Sequence, residues 1–270
     1  MNRADKLEDL KKRIERKGTL LVAYSGGVDS SLLASVAHDV LGDLALAVIL
    51  DSETMPRSEL VHARSLAESL GLNYLVAEFS ILGEEQFVQN PATRCYICKK
   101  KSATVLKNIA AAQGISCIAD GVNFSDYRDY RPGIAACDEE GIWHPFVDVA
   151  ITKEDIRSLA HSLGLPVWDK PSSACLASRI AYGEPITKEI LRMVEEAEEY
   201  LKSRGFGQLR VRAHGHVARI ELLKQDMARA IEGSDEIAKK LKAIGFNYVT
   251  LDLEGFRSGS MNEVLWTSKR

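Results

Sequence analysis

The sequence predicts an α/β fold, a doubly wound parallel sheet with a smaller C-terminal α+β domain. Three observations point there. Up to about residue 164, short apolar runs alternate with stretches of helical apolar spacing, the pattern of parallel strands covered on both faces by helices. A glycine-rich turn closes the first apolar run. After Pro166 the pattern changes to one long helix, two alternating strands, a further helical stretch and a last strand. The implied division is 1–168 and 169–270.

The elements follow in order. The N-terminal MNRADKLEDLKKRIERKG is charged and helical in pattern, with no apolar signal-peptide region behind it. LVAY (21–24) is a strand and SLLASVAHDVLG a helix. LALAVIL (44–50) and PRSELVHARSLAESLG (56–71) repeat the pair. NYLVAEF (73–79) and SCIAD (116–120) read as further buried strands, with a helix over 99–113 between them. TKEDIRSLAHSLG (152–164) is a helix opened by Thr152 as N-cap, with an acidic residue in the first turn. KPSSACLASRIAYGEP (170–185) is rich in turn-formers and small residues and reads as a loop. A long helix over 187–204 precedes two strands, QLRVRAHG and HVARIELL, joined by a turn around Gly215. A helical stretch (225–244) and NYVTLDLEG complete the second domain.

Composition narrows the function. The 270 residues are 46% apolar and 27% charged, an ordinary globular balance, with a net charge of −3. That charge disfavours a general nucleic-acid binder, which carries a clear positive excess. No apolar run approaches the roughly 20 residues that span a bilayer. The expectation is a cytoplasmic protein with no membrane and no nucleic-acid partner. Five cysteines in a reducing compartment argue against a disulfide framework and toward metal or catalytic use for those that cluster.

Ser25-Gly26-Gly27-Val28-Asp29-Ser30 ends the first strand and opens the next helix, where doubly wound sheets bind ligands. Gly26 and Gly27 let backbone N–H groups approach an oxyanion, Ser25 and Ser30 can add hydroxyl donors, and the helix N-terminus supplies a favourable dipole. Asp29 would repel a bare phosphate, so it suits Mg²⁺ bridging to one. The stretch is neither G-x-x-x-x-G-K-[ST] nor G-x-G-x-x-G. A serine-capped glycine turn is the plainer alternative for a lone Gly-Gly, but the full string in strand–turn–helix context points to phosphate. Asp120-Gly121 ends the fourth strand at the same edge and is expected near the bound phosphate and Mg²⁺. For Asn123 and Asp126, in the loop that follows, a solvated-loop reading stands level with a functional one.

TRCYICKK (93–100) carries a Cys-x-x-Cys pair, Cys95 and Cys98, beside Lys99 to Lys101. The pair suits a redox couple favoured by nearby cations, half a zinc site, part of an iron–sulfur site, or two buried thiols. Zinc would need a further Cys or His, and His144, His161, His214 and His216 lack ligand-like spacing to a cysteine. Cys117 and Cys137 read as structural, and Trp143 and Trp168 as packing. Arg210 and Arg212 alternate on one strand and so present guanidinia on one face, suited to bidentate phosphate binding; a solvated surface charge is the alternative for either alone.

AYSGGVDSSLL resembles the pyrophosphate loop of the PP-loop ATP pyrophosphatases, a superfamily of adenine nucleotide alpha hydrolase-like fold. The resemblance implies cleavage of ATP between the α and β phosphates, adenylation of a substrate oxygen and displacement of AMP by a nucleophile. DGVNFSDYRDYRPG, SSACLASRIAYG, RVRAHGHVARIEL and YVTLDLEGFRSGSMN are together similar to the LarE family of ATP-dependent sulfur transferases of nickel-pincer cofactor synthesis. This resemblance runs from the loop to the C-terminus. It implies a pyridinium-3,5-biscarboxylic acid mononucleotide as substrate, adenylated on a carboxylate and converted to a thiocarboxylate. Cofactors would be ATP and Mg²⁺, and the assembly a homo-oligomer, a hexamer in the family. Ser178, Arg179, Arg210 and Arg212 match positions that hold the substrate, and Glu198 another active-site position; Asp29, Cys175, Arg179 and Glu198 are then the catalytic candidates.

In the sacrificial branch of the family a loop cysteine surrenders its sulfur. Aligned on Ser178-Arg179 and Tyr182-Gly183, that position falls on Ala174, with Cys175 one residue later. The departure puts self-sacrifice in doubt. Cys95, Cys98 and Cys175 resemble the ligand set of the branch that carries a [4Fe-4S] cluster, whose open iron receives sulfide from a sulfur donor. Two further enzyme classes share the loop: cluster-dependent tRNA 2-thiolation, disfavoured by the charge, and ammonia-using amide synthesis, which needs no three-cysteine set. A non-catalytic nucleotide-binding scaffold would show no ATP turnover.

Overall fold

The computed structural model describes residues 2–128, 131–171, 173–257 and 259–263. In chain order its elements are α1 (Arg3–Glu15), β1 (Leu20–Tyr24), α2 (Val28–Leu41), β2 (Ala45–Asp51), α3 (Arg57–Ser69), β3 (Tyr74–Glu78), the one-turn α4 (Glu85–Val88), α5 (Arg94–Ala112), β4 (Ile118–Ala119), α6 (Pro132–Glu139), the one-turn α7 (Pro145–Asp148), α8 (Lys153–Ser162), α9 (Lys188–Ser203), β5 (Leu209–His214), β6 (Val217–Leu222), α10 (Met227–Glu232), α11 (Ser234–Ile244) and β7 (Tyr248–Leu251). Backbone contacts gather them into two units, Met1–Ile81 with Cys95–Ser173, and Leu82–Arg94 with Ala174–Arg270.

The first unit holds a parallel sheet in the order β3-β2-β1-β4. Strands β1 to β3 step one way and β4 sits on the other side of β1, so the chain reverses direction between β1 and β4. Loops leaving the carboxyl ends of those two strands therefore flank a topological switch point. β1 is apolar throughout because both its faces are covered. Leu20, Val22 and Tyr24 join a core with Leu10 and Ile14 of α1, Leu32 and Leu33 of α2, and Ile156 and Leu159 of α8. Leu21 faces the other way, into a core with Ala103, Leu106 and Ala110 of α5. Thr152 caps α8 reciprocally with Asp155, as its sequence predicts.

Three expectations need correction. NYLVAEF is not a buried strand: β3 is the sheet edge, with Leu75 exposed and Glu78 facing solvent. Its backbone pairs with one strand, β2. The helix expected from residue 99 begins at Arg94, so the CYIC string lies in its first turns. SCIAD pairs with β1 over Leu21↔Ile118 and Val22↔Ala119 only, and Ala119 bridges onward to Trp143.

In the second unit β5 and β6 form an antiparallel hairpin and β7 returns parallel to β6. Leu209, Val211 and Ala213 are buried together with Ala218, Ile220 and Leu222 on the face shared with α9 and α11. The predicted helix over 225–244 is broken at Gly233 into α10 and α11. The opposite face of this sheet carries Arg210, Arg212, Arg219 and Glu221.

Candidate active site

In the first unit the Ser25–Ser30 turn connects β1 to α2. Gly26 has φ +70, and a Cβ there would lie 2.8 Å from the Cα of Ala63, so conformation and space both demand glycine. Gly27 is the N-cap of α2 and offers no side-chain cap, which leaves the first-turn N–H groups pointing outward for an anion. The two serines brace the turn. Ser25 N donates to Ser30 Oγ at 3.1 Å, and Ser30 Oγ donates to the Gly27 carbonyl at 3.2 Å. The backbone supplies the anion donors and the hydroxyls hold its shape.

Gly121, leaving β4, closes on this helix start: a Cβ there would sit 3.0 Å from both Asp29 Cβ and Ser30 N. Asp29 receives Lys153 Nζ on one oxygen and Asn123 Nδ2 on the other at 3.2 Å. Asn123 is itself fixed by Asp126, whose Oδ2 accepts its Nδ2 at 2.8 Å and its backbone N–H at 3.0 Å. Next to them Asp120, buried, pairs with His144 Nδ1 at 2.6 Å. Burial alone would raise the Asp120 carboxyl, but the His144 bond and the Lys99 ammonium outweigh it and hold it below the usual range. Burial likewise works against charge on His144, yet the Asp120 bond raises it above the ordinary imidazole value. The turn thus has outward backbone N–H groups, an ammonium (Lys153) and a carboxylate (Asp29) side by side, the kinds of group that a metal-bound phosphate takes.

In the second unit Arg179 is 2% exposed and forms a bidentate pair with Glu198, Nε to Oε1 and Nη2 to Oε2, each 3.0 Å. Its Nη1 donates to the carbonyls of Ala174 and Cys175, the latter at 2.9 Å, and to Ser178 Oγ at 3.1 Å. Arg179 thus gathers the turn that displays Cys175. Glu198 also accepts the Val211 N–H at 3.1 Å. Its carboxyl, which burial would raise, is lowered by the Arg179 ion pair. Arg212 donates from Nη2 to Glu221 at 2.9 Å and from Nη1 to the Ser178 carbonyl at 3.2 Å. Arg210 is pulled down to about 10 by burial and by the charge of Arg179 and Arg212.

A profile of the NAD synthase family matches residues 3–111. A pyridinium-3,5-bisthiocarboxylic acid mononucleotide synthase of Lactiplantibacillus plantarum is 40% identical, over 90% of this chain and 89% of its own. The chain belongs to this synthase family. It is an ATP-dependent PP-loop enzyme of the LarE kind. An uncharacterized protein of Synechocystis is 42% identical over 96% of this chain and 98% of its own, and another of Methanocaldococcus jannaschii 32% identical over 93% and 95%.

The cysteines of this LarE-family chain differ in their surroundings. Cys117 packs against the first core and Cys137 lies inside the second, its thiol pushed up to about 11 by burial. Cys95 and Cys98, three residues apart on α5, share a helix face; Cys95 and Cys175 are exposed and Cys98 is half-buried. Among the described residues no group of three or more His, Cys, Asp or Glu is placed to hold a metal ion. Arg94, one residue before Cys95, belongs to the second unit. It donates to Asn90 Oδ1 at 2.7 Å and lies 4.1 Å over the Tyr182 ring. Asn90, at φ 53, donates in turn to the Ala181 carbonyl at 2.7 Å.

Lys153 is the residue that sequence reasoning passed over. A signal existed: it is the first residue of α8, where a cation opposes the helix dipole, a local cost that calls for a nearby anion. No helix of the described residues is long and apolar enough to cross a membrane.

Proposed function

We propose that the chain adenylates a carboxylate of pyridinium-3,5-biscarboxylic acid mononucleotide at the expense of ATP and replaces AMP with sulfur to form a thiocarboxylate. The observation that carries the reading is the gathering of guanidinia at β5. Arg179 and Arg212 lie near enough to Arg210 for their charges to pull it down, and they are themselves anchored by the buried carboxylates Glu198 and Glu221. A ligand bearing a phosphate and carboxylates suits such a cluster through bidentate guanidinium contacts. The name of the Lactiplantibacillus plantarum relative supports the same substrate class.

In this reading the first-turn N–H groups of α2 hold the pyrophosphate portion of ATP, with Asp120-Gly121 at its border. Asp29 would hold Mg²⁺, which would offset charge on the phosphates, and Lys153 would then turn from Asp29 to a phosphate oxygen. A substrate carboxylate oxygen attacks the α-phosphorus, the α–β bond breaks, and pyrophosphate leaves. The protein's contribution is placement and charge stabilisation, with no covalent enzyme intermediate. Sulfide then adds at the acyl carbon and AMP departs with the former carboxylate oxygen. Arg210, Arg212 and Ser178 hold the substrate. Arg179 and Glu198 act as positioning residues, because all three guanidinium nitrogens of Arg179 are engaged, whereas the Arg212 Nε has no hydrogen-bond partner among the described residues.

Sulfur delivery falls to Cys95, Cys98 and Cys175 as ligands of a [4Fe-4S] cluster, which with three thiolates would supply sulfide from its open iron. Their thiols stand clear of the cores that take Cys117 and Cys137, and Ala174 occupies the sacrificial position. Anaerobic purification with iron and acid-labile sulfide analysis tests this. About four irons per chain are expected, lost in Cys95→Ala, Cys98→Ala and Cys175→Ala. Parent protein with almost no iron but intact sulfur transfer would remove the cluster. Absence of pyrophosphate release with the dicarboxylate mononucleotide would remove the substrate.

A further inference from the structure

The face that carries Arg210 and Arg212 is ordered by a residue far away in the chain. In register Arg212 stands opposite Arg219 and Arg210 opposite Glu221. Like charges facing across neighbouring strands repel. Glu221, with no exposed surface, separates them, accepting Arg212 Nη2 on Oε2 at 2.9 Å and Arg219 Nη2 on Oε1 at 3.1 Å. Ser260 completes the arrangement. Its hydroxyl donates to Glu221 Oε1 at 2.7 Å and accepts from Arg212 Nη2 at 3.0 Å. The side chain is thus inserted into the Arg212–Glu221 pair as a third member, and Ser260 is 4% exposed.

Ser260 opens a 3₁₀ turn, Ser260–Asn262, outside the sheet. The same turn places Asn262 Oδ1 to accept the Tyr182 hydroxyl at 2.9 Å and the Met261 sulfur 3.4 Å from Arg219 Nη2. Just before it, Arg257 pairs with Asp252 and, beyond the turn, with Glu263. One short segment therefore grips the arginine strand, its partner strand and the loop that follows Cys175.

We infer that Ser260 is a positioning residue for anion binding: its hydroxyl sets the direction of the Arg212 guanidinium, and its turn ties that direction to the 174–183 loop through Tyr182. This rests on the proposed role of Arg210 and Arg212 in holding the substrate phosphate. Without the hydroxyl, a buried carboxylate oxygen and a buried guanidinium N–H each lose a partner. Arg212 is then held by Glu221 and by the Ser178 carbonyl alone, one contact fewer to fix its plane.

The test uses the full chain with Ser260→Ala, Ser260→Thr and Arg212→Lys. Each is titrated calorimetrically with pyridinium-3,5-biscarboxylic acid mononucleotide, with the corresponding nucleoside lacking the phosphate, and with MgATP. Ser260→Ala is expected to weaken mononucleotide binding about tenfold, the order of one hydrogen bond to a charged group. Nucleoside and MgATP affinities should stay within about twofold of the parent, and threonine, which restores a hydroxyl, should recover most of the loss. Unchanged mononucleotide affinity in Ser260→Ala, with Arg212→Lys impaired, would overturn the inference and leave the functional reading standing. Unchanged affinity in both would remove the phosphate role of Arg212 and the inference with it. Equal weakening of all three ligands with a lowered melting temperature would reduce Ser260 to a structural residue. A loss in Ser260→Ala that Arg212→Lys does not reproduce would place the effect elsewhere and also overturn the inference.

Discussion

The phosphate turn of the first unit and the arginine face of the second are both suited to anions, by opposite means. The turn works with backbone: an uncapped helix start, a glycine at positive φ and a second glycine closing on it. Its donors cost little to keep ready, since helix N-termini carry N–H groups without intrahelical partners in any case. The arginine face works with side chains in a dry setting, and each buried guanidinium must be matched by a carboxylate or a carbonyl, because an unpaired buried ion costs several kcal/mol. The difference teaches how each would fail. The turn fails by steric intrusion, with the fold left intact; the face fails by unpaired charge, and takes stability with it.

The largest expected effect lies on the turn. Gly121→Val would push a Cβ and two methyl groups toward Asp29 and Ser30 N and should cut ATP-dependent pyrophosphate release about a hundredfold or more, the scale set by ångström misplacement of reacting groups. Its melting temperature should change little; a variant that turned over ATP normally would break the comparison on this side. On the other side, Arg179→Met strands the buried Glu198 and should lower the unfolding free energy by about 3–5 kcal/mol, read from urea transitions. Arg179→Met combined with Glu198→Leu should regain most of that loss, and a double variant no better than the single one would show that charge pairing is not what holds this region.

A smaller effect is expected of Lys153→Met. It removes a cation beside the turn and should weaken MgATP binding about tenfold, near 1.4 kcal/mol, with mononucleotide affinity untouched. Loss of mononucleotide affinity instead would blur the assignment of ATP to one region and substrate to the other. The smallest effect concerns the buried Asp120–His144 pair. The Asp120 carboxylate raises His144 above the ordinary imidazole value of 6.5, so its stabilising share is complete below 6.5 and fades as pH climbs through the raised folded value. Asp120, held below the ordinary carboxyl value of 3.8, stabilises above 3.8 and loses that share only as pH falls through its depressed value. The stability gap between parent and His144→Asn should therefore be widest between those two ordinary values and close on the alkaline side. Denaturant midpoints that kept a constant gap through alkaline pH would contradict the ion pair.

Legibility followed the same contrast. The phosphate turn could be read from six consecutive residues because its physics is local: glycine where Cβ is forbidden, a helix start, a strand end. Thr152 and Asp155 announced α8 by the same local logic. The start of α5 is hidden because Cys, Tyr and Ile are weak helix formers and nothing in TRCYICKK declares a cap. The edge position of β3 is hidden because an apolar run has the same spelling at an edge as in the middle of a sheet. Glu221 and Ser260, separated along the chain by 39 positions, carried no joint signal, and neither did Asn90 and Ala181, separated by 91.

From residue order alone came the alternation of strand and helix, the phosphate turn and the family, each resting on neighbours in the chain or on strings of them. Tertiary structure alone decided which strand lies at the edge, that residues 82–94 gather with the C-terminal unit, that Lys153 pairs with Asp29, and that Arg179 and Arg212 are each clamped by a buried carboxylate. The physical reason is range. Backbone preference and side-chain periodicity act over a few residues, whereas burial and the pairing of buried charge depend on which distant segments folding brings together.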